Sequence, residues 1–395
     1  MFFKNEFILK HLLLLLLTIS LFTCKEDKGS PTINEIVDLQ EGQKINLKYA
    51  EGFEIFKTKD YTILTIKSPW PESNEEYKYY LSNSVSAINM KLQGSMNTIK
   101  AIDIKTPIEK IVVTSTTHIP ALELLEVEKT LVGFPGTDYI SSEKTRIRID
   151  NKQIRELGKN EGINTEVLLD LNPNVVVAFG VDGKSKSLET IKKANIPVIY
   201  NGDWVEKSPL AKAEWIKFFG ALYNKEKEAD SIFNKIETDY NKAKLIALNA
   251  KNKPTILCGA MYKDVWYLPN GTSTEAQFLK DANTNYLWSE TKEKGSIALN
   301  FEVVFSKGKT ANLWLSPSYY SSKEALIKSS THYSKFDAFK NNAIYTFSNT
   351  TGKSGGVLYY ELGTARPDLV LKDIIKISHP ELLQDYKPFF FKKLE

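Results

Sequence analysis

Between residues 45 and 66 apolar and polar positions alternate in short steps, INLKYAEGFEIFKTKDYTILTI, interrupted by Gly52 and by the Lys59-Asp60 pair. That rhythm predicts antiparallel strands joined by tight turns. From Ile108 the pattern changes: IEKIVVTSTTHIPALELLEV reads as a β-branched strand, a polar loop, and a helix entered at Pro120, where a missing N–H costs least. Continuous apolar runs follow at 175–179 and 196–200, each bounded by Asn, Gly or Pro, as parallel strands buried on both faces are.

After Asp203 the chain turns helical. Ala229, Ile232, Phe233, Ile236, Tyr240 and Ala243 recur in three- and four-residue steps while Lys and Glu hold the opposite face, which predicts one helix long enough to cross between two lobes. A second α/β unit begins at Pro254, with strands through Cys258, Trp266-Tyr267, ANLWL and NAIYTF and helices at 274–282 and around Glu302. In RPDLVLKDIIKISHPELL, residues 366–383, Leu369, Val370, Ile374, Ile375 and Ile377 form one stripe that His379-Pro380 ends. The expected fold class is therefore α/β, with an N-terminal lobe over 45–205, a helical linker over 206–252 and a C-terminal lobe over 253–395.

The ends add a compartment. Lys4 and Lys10 precede the apolar run 12–17, continued by Ile19, Leu21 and Phe22, which has the outline of a secretory signal over 1–23. Leu21-Phe22-Thr23-Cys24 resembles a bacterial lipoprotein signal, in which Cys24 becomes the acylated first residue, and the polar KEDKGSPT suits a flexible tether over 24–44. Charge is mixed, with a net of +4 from 25% charged residues, and this near-balance argues against nucleic acid as a partner. Cys258, beside buried aliphatics, reads as a small core residue rather than a reactive thiol.

Several chemistries lack their motifs. No G-x-G-x-x-G follows a strand, the GKT at 308–310 has Val303 where a phosphate loop needs its first Gly, and neither H-E-x-x-H nor G-x-S-x-G occurs. Neither an intrinsic cofactor nor a bare zinc or manganese site is expected, and nothing points to an enzyme. In an open α/β sheet ligands bind beyond the carboxyl ends of the strands. Those loops, at 114–118, 180–184, 200–204, 259–263, 316–320 and 355–361, are rich in aromatics: Trp204, Tyr262, Tyr319, Tyr320, Tyr359 and Tyr360, with Tyr139 nearby. Facing lobes would form a cleft for a large, flat or amphipathic ligand, although many such rings serve as core. His118 divides between a capping residue and a ligand contact.

KIVVTSTTHIPALELL, LLDLNPNVVVAFG, IPVIYNGDW, the interlobe helix and RPDLVLKDIIKISHPEL together resemble the iron-complex and cobalamin class of ABC-transporter substrate-binding proteins, over roughly residues 46 to 390. The resemblance implies two Rossmann-like lobes with parallel-type sheets on a rigid interlobe helix, a monomer held by a lipid anchor on the outer side of a membrane, and an ABC permease with its ATPase as partners. It implies that Glu166 in NTEVLLDLNP and Glu302 in LNFEVVF dock into the permease; otherwise they are plain solvated glutamates at helix starts. The implied ligand is a ferric siderophore, haem or cobalamin, met by His118, Tyr139, Trp204, Tyr262, Tyr319, Tyr359 and Tyr360. Arg366 either meets an anionic ligand or, the favoured reading, pairs with an acidic neighbour, and Lys184 and Lys263 share this ambiguity. Two other readings stay open: an extracytoplasmic enzyme drawing acid and base from Glu361, Asp203 or His118, and a chaperone that passes cargo on.

Overall fold

The computed structural model describes residues 42–83, 102–293 and 295–395. The signal, Cys24 and nearly all of the tether lie outside the described residues. The last three tether positions, Gly42–Lys44, form an exposed edge strand paired with the 56–58 segment, so regular structure begins slightly earlier than the alternation suggests. Strands Phe53–Thr58, Thr62–Lys67 and Glu76–Ser82 continue this sheet antiparallel, and Ile102–Lys105 closes it parallel to its neighbour.

The N-terminal lobe is built on a five-stranded parallel sheet in the order Val198–Asn201, Val175–Phe179, Ile111–Val113, Leu131–Phe134, Arg155–Glu156. Its central strands are covered on both faces: Val175, Val176, Val177 and Ala178 have no exposed surface, which is why they read as an unbroken apolar run. The C-terminal lobe repeats the plan in the order Asn285–Tyr286, Thr255–Cys258, Leu313–Leu315, Ile344–Thr346, with Lys392–Lys393 antiparallel at the edge. It adds a small antiparallel sheet of Ala260–Tyr262, Val265–Pro269 and Ser296–Leu299.

The interlobe helix is Glu226–Ala247, 22 residues and about 33 Å long at 1.5 Å per residue. Its buried stripe serves two cores. Ala229, Phe233 and Ile236 pack into the N-terminal core, and Tyr240, Ala243 and Ala247 into the C-terminal one. Helices Pro209–Glu214 and Ile216–Leu222 precede it, and Trp215, Phe218, Phe219 and Leu222 belong to the first core. The last helix, Pro367–Ser378, lies along the interlobe helix and holds the C-terminal segment: buried Asp373 accepts the Tyr386 hydroxyl at 2.6 Å and the backbone N–H groups of Phe389, Phe390 and Phe391 at 2.6–3.0 Å.

Candidate functional site

The strand Ile111–Val113 delivers the chain into Thr116–His118 and then Ile119–Leu124, with Ser115 accepting from Thr117 N. This first helical turn folds His118 inward. Its ring is fully buried 5.7 Å from that of Phe219, and burial pushes its pKa down to about 3, so the imidazole is neutral. His118 therefore lies beneath the cleft surface rather than on it.

On one side the lobes touch. Glu361, in Leu358–Leu362 of the C-terminal lobe, accepts Ser141 N at 2.6 Å and Ser142 N at 2.9 Å from the N-terminal lobe, and the Ser354 hydroxyl donates to Ile140 O at 3.2 Å. The backbones approach so closely that a Cβ on Gly356 would lie 2.2 Å from Tyr139 O, a separation only glycine permits. Burial outweighs these hydrogen bonds and pushes the Glu361 carboxyl up to about 7. The group named above as a candidate acid or base is thus spent on backbone donors. Tyr139, in the same loop, projects outward and is 72% exposed.

Between the lobes lies a cavity of about 520 Å³, with Trp204, Lys207 and Lys212 from one and Tyr267, Asn270 and Glu275 from the other. Trp204 is half-buried 5.4 Å from Phe179. Pro269 and Glu275 also line a smaller, mostly apolar cavity of about 180 Å³ with Leu315, Phe347, Tyr359 and Tyr360, so the two spaces adjoin. Phe347 stacks on Tyr359 at 4.0 Å, and the Tyr319 hydroxyl donates to that of Tyr360 at 3.0 Å. Burial raises the pKa values of both Tyr359 and Tyr360, keeping them protonated hydrogen-bond donors at neutral pH. Cys258, on the same wall, is buried with its thiol pushed upward, which makes it unreactive.

Tyr262 sits at the end of a hairpin strand, 67% exposed, with the Lys263 ammonium 5.6 Å from its ring centroid. Strand alternation puts Tyr267 on the same outward face, because Ala260, two residues before Tyr262, pairs with Tyr267. A third cavity, about 470 Å³, lies in the N-terminal lobe among Thr114, Asn160, Phe179, Asp182, Lys184 and Tyr200. Arg366 is otherwise engaged: its Nε and Nη2 donate to Asp368 Oδ1 and Oδ2, each at 2.8 Å, and Asp368 is fully buried. It serves the start of the last helix. Among the described residues no group of three or more His, Cys, Asp or Glu side chains could hold a metal ion.

The structure thus groups Trp204, Tyr359 and Tyr360 along adjoining cavities, attaches Tyr319 to them through a hydrogen bond, and leaves Tyr139 and Tyr262 at exposed edges. Lys212 and Glu275 escaped the sequence reading, while Tyr267 and Asn270 lie in GAMYKDVWYLPNG, a stretch the sequence offers for ligand contact without singling them out. The outward period in VWYLP could have found Tyr267; the others depend on how the lobes meet.

Glu166 and Glu302 occupy matching positions. Each is the second residue of a short helix, Thr165–Leu171 or Phe301–Gly308, capped by an asparagine: Asn164 accepts Val167 N at 3.1 Å and Asn300 accepts Val303 N at 2.9 Å. Both glutamates are exposed, one on each lobe, and a carboxylate in the first turn suits the positive end of the helix dipole.

An uncharacterized lipoprotein of Methanocaldococcus jannaschii is 28% identical over 300 residues, spanning 73% of this chain and 70% of that one. The fold is similar to that of a possible iron-binding, periplasmic solute-binding protein from Staphylococcus epidermidis, with a TM-score of 0.56, 18% identity, and 69% and 100% of the two chains covered. It is also similar to a periplasmic haem-binding protein from Pseudomonas aeruginosa, with a TM-score of 0.54, 14% identity, and 73% and 98% covered. Residues 111–351 match the model of the periplasmic binding protein family. With that match extending from the first strand of one lobe's central parallel sheet past the last parallel strand of the other, the chain belongs to the periplasmic binding protein family, whose members bind solutes.

Proposed function

We propose that this protein is the lipid-anchored, extracytoplasmic receptor of an ABC importer, and that it captures an iron complex, a ferric siderophore or haem, for its permease. The observation that carries the reading is the interlobe cavity: about 520 Å³, lined by mixed polar and apolar side chains with Trp204 and Tyr267 among them, and adjoining the aromatic Tyr359–Tyr360 wall. Rings with polar tips suit a broad, partly apolar chelate, because they bury wide area while their hydroxyl and N–H groups orient its oxygen atoms. The iron- and haem-binding descriptions of the Staphylococcus and Pseudomonas proteins support the same ligand class. Glu166 and Glu302 act as paired docking charges, and Cys24 carries the lipid.

Native mass spectrometry of residues 30–395, offered ferric siderophores, haem and cobalamin together, tests this. One-to-one adducts of a siderophore or haem are the expected result. A cobalamin adduct would replace the ligand while keeping the receptor, and no adduct at all would remove this ligand class.

A further inference from the structure

We propose that the N-terminal sheet is a working part of the ligand site, and that Trp70 is the residue that positions two of the cleft loops. The inference rests on the reading of the interlobe cleft as the place where ligand binds.

The turn between Thr62–Lys67 and Glu76–Ser82, held by Ser68 N to Glu75 O at 2.9 Å and Ser73 N to Trp70 O at 3.2 Å, presents Pro69 and Trp70 to the parallel sheet, while the indole also rests 6.0 Å from the Tyr77 ring of its own sheet. Three glycines from two cleft loops meet this one dipeptide. A Cβ on Gly183 would lie 2.6 Å from Trp70 Cζ2, one on Gly180 3.2 Å from Trp70 Cε3, and one on Gly202 3.1 Å from Pro69 Cα. Gly183 also has φ +71, but Gly202, at φ −109, is not in the left-handed region, so room for the dipeptide is what it supplies. The indole is 7% exposed and meets the Tyr200 ring edge-on at 5.1 Å.

Those loops lead directly to the cavities. Gly180 and Gly183 flank Val181 and Asp182 in the 470 Å³ cavity, and Gly202 sets the entry to Trp204 at the 520 Å³ one. Attachment of the sheet does not depend on Trp70. Phe53, Ile55, Leu64 and Ile66 bury themselves in the lobe core, with the Phe53 ring 4.6 Å from that of Trp215. Trp70 therefore adds something other than adhesion: a rigid backing for two glycine-bearing loops that otherwise have freedom to move. The family match begins at residue 111, so this backing comes from chain outside it.

The test is amide hydrogen exchange on the intact protein, paired with hemin titration. In Trp70→Ala, exchange across 180–186 and 202–205 should accelerate at least tenfold while Phe53–Thr58 and Thr62–Lys67 keep their protection. Hemin Kd should rise about tenfold, with Trp70→Phe between the two. Ile63→Ala, altering a residue buried in a separate small cluster with Tyr80, is the control for general loosening of the sheet and should leave both loops unchanged. The proposal is overturned if loop exchange in Trp70→Ala stays within twofold of the parent, if Trp70→Phe loosens the loops as much as Trp70→Ala, or if Ile63→Ala loosens them equally. If the parent protein takes up no hemin, the exchange result still decides the role of Trp70, and only the ligand reading fails.

Discussion

Burying Glu361 between the lobes costs its charged form more than two backbone donors return, so its carboxyl titrates at about 7 instead of 4.5. Because the folded value is raised, the stabilising contribution is complete below 4.5 and is lost as pH rises through 7. Its size is on the order of 3 kcal/mol. Thermal melts at pH 5 and pH 8 should show the parent protein losing stability relative to Glu361→Gln across that interval; parallel melting curves would refute the assignment. His118 has the opposite sign. With its folded value at about 3, its contribution is present above 6.5 and is lost as pH falls, and His118→Phe should blunt acid unfolding monitored by circular dichroism. Arg366 supplies the third test. Removing it leaves Asp368 buried and unpaired, so Arg366→Ala should cost about 3 kcal/mol in urea denaturation while leaving ligand affinity unchanged. Sequence favoured the acidic partner for Arg366 but could not assign His118, because a residue type at a loop does not say which way the turn faces. Only the fold of Thr116–His118 onto Phe219, and the two-residue reach from Arg366 to Asp368, decide it.

Among the elements, those with a strong internal period were legible. Val175–Phe179 was read to the residue, and the buried stripe of Pro367–Ser378 contains Val370, Ile374, Ile375 and Ile377 as the spacing indicates. The small antiparallel sheet was legible only in its middle strand, at Trp266-Tyr267, while Ala260–Tyr262 and Ser296–Leu299 were not read. Its strands are three to five residues long, and Ser296–Leu299 finds its partner only across a gap in sequence, so local alternation has too few positions to declare itself. The helix starts at Glu166 and Glu302 were legible in NTEVLLDLNP and LNFEVVF, and the structure adds their asparagine caps. Two outcomes separate the cap from the charge. Asn164→Ala or Asn300→Ala should each cost about 1 kcal/mol of stability. Glu166→Lys combined with Glu302→Lys should leave ligand binding intact and abolish uptake through the permease, measured with radiolabelled ligand in vesicles.

At the scale of the whole molecule, one helix shared by two cores makes the lobes a single packed object. A hinge through Glu226–Ala247 would have to pull Phe233 or Tyr240 from its core, and burying such rings contributes about 2 kcal/mol each. Ligand binding should therefore change the radius of gyration in X-ray scattering by less than about 1 Å, whereas a clam-like closure would change it by more. Two lobes were legible because each is a repeating α/β pattern; the cleft was legible only as a set of loops, since which edges touch is a property of the assembled pair. That contact has a kinetic meaning. With the lobes tied together at Glu361, a solute held in the interlobe cavity would come and go past Trp204 and Tyr267 at its edge. A permease gripping both lobes would empty the cavity by straining that tie instead of swinging a lid, and the strength of two hydrogen bonds would then set how long cargo stays aboard.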